Sequence, residues 1–179
     1  MSDFQRKLTS FLAAMCIFLS AVEFAIPKPL PFLRIGLANL PVILALSFFN
    51  FPQLLKLVLI KVLVQGIISG TLFSYVFLFS CAGSFSSAIT MYLLYKFFFN
   101  RGWVSALGLT LAGSMANNCA QILMARLILF GENTKYVAPL LLLTGLISGL
   151  ILGIFVELFE KKSSWYGDRL KEFAGEENV

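Results

Sequence analysis

Ser114, Asn117, Asn118 and Gln121 lie within about 100° of one another on a helical wheel, in the middle of a long apolar run. Hydroxyls and carboxamides at that spacing make a strip of hydrogen-bond donors and acceptors along one helix face, suited to holding a polar solute. Ala112, Ala116 and Ala120 lie on the opposite face and suit close helix packing. Three carboxamides within hydrocarbon are costly unless paired or solvated, so the strip must face a bundle interior or a watery cavity. A helix that packs by one face and presents amides on the other reads as the wall of a ligand site. The competing reading is a hydrogen-bonded clamp between helices.

Other polar residues sit toward the ends of their apolar runs. Glu23, Lys28, Arg34 and Arg126 map to one side, where Glu23 can pair with Arg34 or Arg126 as structure or as part of a binding mouth. Asn39 follows Gly36, about one and a half turns deeper than Arg34, and can reach the same cavity. The candidate solute-binding set is therefore Arg34, Asn39, Ser114, Asn117, Asn118 and Gln121. Lys56 and Lys61 read as the other half of the third run; Lys56 can snorkel, and Lys61 shares a face with Gln65. Phe32, Tyr75, Phe77, Phe79 and Tyr136 either line the mouth or meet lipid.

The sequence offers little for catalysis. Histidine is absent, which removes the usual general base and the commonest metal ligand. The only aspartates, Asp3 and Asp168, are near the ends, so neither a paired-carboxylate site nor an Asp-rich magnesium site can form in the body of the chain. Cys16, Cys81 and Cys119 are far apart in apolar sequence and read as small buried hydrophobes, with no metal or disulfide pattern. No catalytic residue, metal site or cofactor is expected.

The elements that position these residues follow from composition. Of 179 residues, 59% are apolar and 13% charged, about half the charged share of a soluble domain. This excludes nucleic-acid modules, secreted disulfide scaffolds and disordered tails, and points to an integral membrane protein. Six runs approach the roughly 20 residues needed to cross the bilayer as a helix: 8–26, 31–50, 52–73, 76–99, 103–130 and 137–159. Pro27, Pro29 and Pro31 end the first, and Phe73 to Gly83 reads either as a dipping loop or as a helix start. The expectation is an all-α, six-transmembrane-helix bundle in one domain (1–159), with an interfacial tail over 160–179. Arg6, Lys7, Lys56, Lys61, Lys96, Arg101, Lys161, Lys162, Arg169 and Lys171 would share one side, against Lys28, Arg34, Arg126 and Lys135, which places both termini in the cytoplasm. In the first run Ser10, Ala14, Ala21 and Ala25 form a smooth stripe suited to internal packing or to docking on another membrane protein. Gly66 with Gly70, and Gly145, Gly149 and Gly153, suggest further close helix contacts.

The segments RIGLANLP (Arg34 to Pro41), FLFSCAGSFSSAITM (Phe77 to Met91) and GSMANNCAQ (Gly113 to Gln121) resemble the bacterial membrane family called heptaprenyl diphosphate synthase component I, or the Gx transporter family. That family's fifth span usually reads His-Asn-x-x-Gln, so Asn118 and Gln121 match while Asn117 stands where histidine is usual. The family is similar in size and span count to the substrate-binding S components of energy-coupling-factor transporters. The resemblance implies a pocket open to the outside and a small-residue face docked on a transmembrane coupling protein driven by ATPase subunits, in the bacterial cytoplasmic membrane. The chain lacks GxxxxGK[ST], so other subunits must supply the energy. Small-molecule uptake is thus the expected function, with no nucleic-acid partner. A membrane subunit working with prenylated quinones or flavin-bearing electron-transfer proteins is the alternative, and a cavity-free scaffold is a third reading.

Overall fold

The computed structural model describes residues 3–26, 36–98, 103–164 and 167. Those residues are mostly helical, with no strand among them. Among the described residues five long helices form, α1 (Asp3–Ala25), α3 (Phe51–Ile68), α4 (Tyr75–Phe97), α5 (Ala106–Ala125) and α6 (Thr134–Lys162), while α2 (Leu40–Ala45) is short. Among the described residues, four stretches are long and apolar enough to cross a membrane: Arg6–Ala25, Phe51–Ile68, Tyr75–Phe97 and Ala106–Lys162. The last has 57 residues, roughly 85 Å if straight, far beyond the hydrocarbon thickness. It folds back through a π turn at Arg126–Phe130 and a 3₁₀ turn at Gly131–Asn133, giving α5 and α6.

The second expected span differs most from its reading. Within 31–50, a 3₁₀ turn at Leu37–Asn39 leads into a six-residue helix, and every residue from Leu40 to Leu46 is buried. A short apolar segment enclosed on all sides is a core element rather than a lipid-facing span. Among the described residues the six expected spans therefore appear as five long helices and one short core helix.

Sequence signals fix the helix starts. Asn50 and Gln53 form a reciprocal capping box at α3, with Asn50 N donating to Gln53 Oε1 at 3.2 Å. Ser74 caps α4 by accepting from Val76 N at 3.3 Å, so Phe73 to Gly83 contains a helix start and not a dipping loop. Ser105 Oγ accepts from Gly108 N at 3.2 Å to start α5. Gly70 has φ +65° in the turn after α3 with no atom crowding it, so it ends a helix and does not extend a stripe from Gly66. Gly66 packs on Phe77 of α4.

Cross-helix contacts give an antiparallel register. Lys61 reaches Asn39 and Ser84, Gly113 faces Ser87 and Met91, and Ser114 reaches Gly145. The main core joins α1, α2, α3 and α4 through Leu12, Cys16, Leu44, Leu54, Val58 and Met91, with Leu109 from α5 and Val156 from α6. Cys16 is buried, but Cys81 is half-buried and Cys119 exposed, so not all three thiols are core residues.

Candidate functional site

The polar strip of α5 divides between two neighbours. Toward α6, Thr110, Ser114 and Asn118 follow a four-residue spacing and seat against Gly153, Gly149 and Gly145. Thr110 Oγ1 donates to Gly149 O (3.1 Å), Ser114 Oγ to Gly145 O (2.9 Å) and Asn118 Nδ2 to Leu141 O. Glycine carries no side chain to shield these carbonyls, so small polar groups reach them directly. Glu157 Oε1 adds a contact at the helix start, accepting from Leu107 N at 3.4 Å.

Toward α4, Asn117 and Gln121 lie against Gly83, whose missing Cβ makes room for both amides. Asn117 Nδ2 donates to Asn118 Oδ1 at 3.1 Å, and Ser86 Oγ donates to Ala116 O at 3.3 Å. Gln121 is buried and its Oε1 has no hydrogen-bond partner among the described residues. Gln65 Oε1 on α3 and Ser80 Oγ on α4 are in the same condition, as is Ser20 Oγ on α1.

Register places the first three at one level. Lys61 Nζ donates to Ser84 Oγ at 3.2 Å, so one turn along each antiparallel helix Gln65 comes opposite Ser80. Ser80 in turn lies three residues from Gly83, where Gln121 sits. Lys61 is buried and also donates to Asn39 Oδ1, which ties α2 to α3. Glu23 is buried as well, and its carboxylate accepts from Gly36 N (3.2 Å) and Ala38 N (3.4 Å) where the chain enters α2.

Of the expected solute-binding residues, Asn39 meets Lys61 of α3, Asn117 and Gln121 lie against Gly83 of α4, Ser114 and Asn118 bond to α6, and Arg34 lies outside the described residues. Arg126 does not pair with Glu23; its guanidinium holds Glu132 at 2.6 Å on the surface. The docking candidates Ser10, Ala14, Ala21 and Ala25 are all exposed along α1. Sequence reasoning assigned Lys61 to the topology signal and left it, Gln65, Ser80 and Ser84 out of the site. The available signal was an ionisable side chain well inside an apolar run, which by default marks a functional interior.

With this geometry in place, the comparison with protein families is decisive: the family described as heptaprenyl diphosphate synthase component I matches residues 12–159. The chain belongs to this family. Its description designates a component, one part of a system with other parts. Neither the curated proteins nor the solved structures give a match to the chain. The synthase in the family's description calls for magnesium-bound diphosphates, yet no three His, Cys, Asp or Glu side chains come together among the described residues. The donor set of the described residues does not fit that metal.

Proposed function

We propose that the chain is the membrane-embedded, solute-binding subunit of an uptake system, similar in role to an energy-coupling-factor S component and energised by partner subunits. The observation that carries this reading is the set of buried, unpartnered oxygens of Gln65, Ser80 and Gln121 beside the Lys61–Asn39–Ser84 contacts. Leaving such groups unsatisfied in a bundle is expensive, and a bound polar solute offsets that cost. A quinone site would favour an apolar lining open to lipid, which this polar level does not resemble.

Position along the bundle fits entry from outside. Gln65, Ser80 and Gln121 lie roughly 5–8 Å from the nearest ends of α3, α4 and α5. The opposite ends carry Lys56, Lys96, Lys161 and Lys162, the side that the positive-inside rule assigns to the cytoplasm. Taking Lys61 out of the topology signal leaves that asymmetry in place. In this reading the chain crosses six times, with α2 the described part of the second crossing, both termini are cytoplasmic, and residues 1–159 form one domain in a bacterial cytoplasmic membrane. The exposed Ser10, Ala14, Ala21 and Ala25 are the docking stripe for a transmembrane coupling protein.

Native mass spectrometry of the purified protein tests the reading. A fraction of molecules carrying one additional small-molecule mass, released on unfolding, is expected; lipid adducts alone would overturn it. Ala14→Trp or Ala21→Trp is expected to keep that mass while abolishing copurification of the transmembrane partner. Unfolding of either variant would assign the stripe to internal packing instead.

A further inference from the structure

The three unpartnered oxygens also carry information about what they bind. Gln65 is 6%, Ser80 3% and Gln121 2% exposed, so bulk water does not satisfy them. Two are amide carbonyl oxygens, which only accept; the third is a hydroxyl, which accepts or donates. One turn from Gln65 on α3 stands the buried Lys61 ammonium, which donates to Asn39 Oδ1 and Ser84 Oγ. A cationic solute would face this ammonium without a compensating carboxylate among the three groups. An anionic solute would face the lone pairs of two carbonyls.

Resting on the solute-binding reading above, we infer that the junction of α3, α4 and α5 takes an uncharged solute carrying at least two N–H or O–H donors, held by Gln65 Oε1, Ser80 Oγ and Gln121 Oε1. Phe77 supplies an apolar edge to the same level. It packs on Gly66, the neighbour of Gln65, and stands one turn before Ser80. Donor groups on a compact, partly apolar body therefore match the junction.

Four probes sharing one ring separate the possibilities on the full-length purified protein: benzamide, N,N-dimethylbenzamide, benzoate and benzylammonium. Benzamide is expected to raise the melting temperature, and the other three to leave it unchanged. Gln65→Leu and Gln121→Leu are each expected to weaken benzamide binding about 3- to 10-fold without lowering the melting temperature of the free protein. Binding of dimethylbenzamide, benzoate or benzylammonium as tight as that of benzamide would overturn the chemical class. Undiminished benzamide binding by both variants, or none by the wild type, would overturn the location. Native mass spectrometry of the Gln65→Leu, Gln121→Leu double variant distinguishes this inference from the wider one. If the double variant still retains its solute, the location falls while the uptake reading stands. Loss of the mass from a folded double variant supports both.

Discussion

The two faces of α5 use the same side-chain chemistry to opposite ends. Toward α6, Thr110, Ser114 and Asn118 meet a helix whose glycines expose its carbonyls, and each donates to one of them. Toward α4, Gln121 meets Gly83 but leaves its carbonyl oxygen buried and unpartnered. A polar residue inside a bundle is thus a clamp or a site according to what its neighbour offers. An accessible backbone carbonyl one turn away closes the account for a hydroxyl or an amide N–H; nothing comparable accepts the role of donor to an amide oxygen, because the backbone N–H groups of a helix interior are already in use.

Filling the α6 notch should produce the largest effect. A Cβ at Gly145 would run into the Asn118 amide and come within 3.5 Å of Ser114 O. Gly145→Leu therefore overpacks the contact and displaces the Asn118 and Ser114 bonds, at a cost of about 2–4 kcal/mol. Thermal unfolding in detergent is expected to show a large drop in melting temperature. A stability equal to wild type would mean that α5 and α6 are held apart from this seam.

The comparison sharpens with one amide from each face. Asn118→Ala removes the donor to Leu141 O and should lower stability by about 0.6–2 kcal/mol. Gln121→Leu removes an atom that has no partner, so stability should stay level or rise by up to about 1 kcal/mol. Equal losses from both substitutions would show that the two faces are equally clamped, and the distinction between them would fail.

Much of this was legible in the residues, but only part of the division between faces. Helical periodicity grouped Ser114, Asn117, Asn118 and Gln121, and the Gly145, Gly149 and Gly153 stripe was visible too. What periodicity lacks is the neighbour: the same wheel does not say that Ser114 and Asn118 lean to α6 while Asn117 and Gln121 lean to α4. Lys61 was read as a charge near a membrane face because a linear run gives no depth. Its burial follows from α2 and α4 closing over it through Asn39 and Ser84. The 31–50 run misled for a related reason. Apolar residues look alike whether they meet lipid or protein, and Leu40 to Leu46 meets protein on every side. The helix starts are another matter, since the caps at Asn50 with Gln53, Ser74 and Ser105 depend only on local backbone and are legible in the sequence once looked for.

The smallest effect belongs to the bundle rim, where Arg126 and Glu132 pair at 2.6 Å with side chains 58% and 86% exposed. Sequence position alone allowed Arg126 to serve buried Glu23 instead, and the two arrangements have different energetic consequences. An exposed pair is screened and loses side-chain freedom on forming, so Glu132→Gln should change stability by no more than about 0.5 kcal/mol. Arg126→Gln should cost equally little, and a double-mutant cycle between the two should give a coupling of about 0.2–1 kcal/mol. Were Arg126 the partner of Glu23, its loss would strand a buried carboxylate and cost about 3–5 kcal/mol. A loss of that size in Arg126→Gln, with Glu132→Gln silent, would move Arg126 from the rim to the interior.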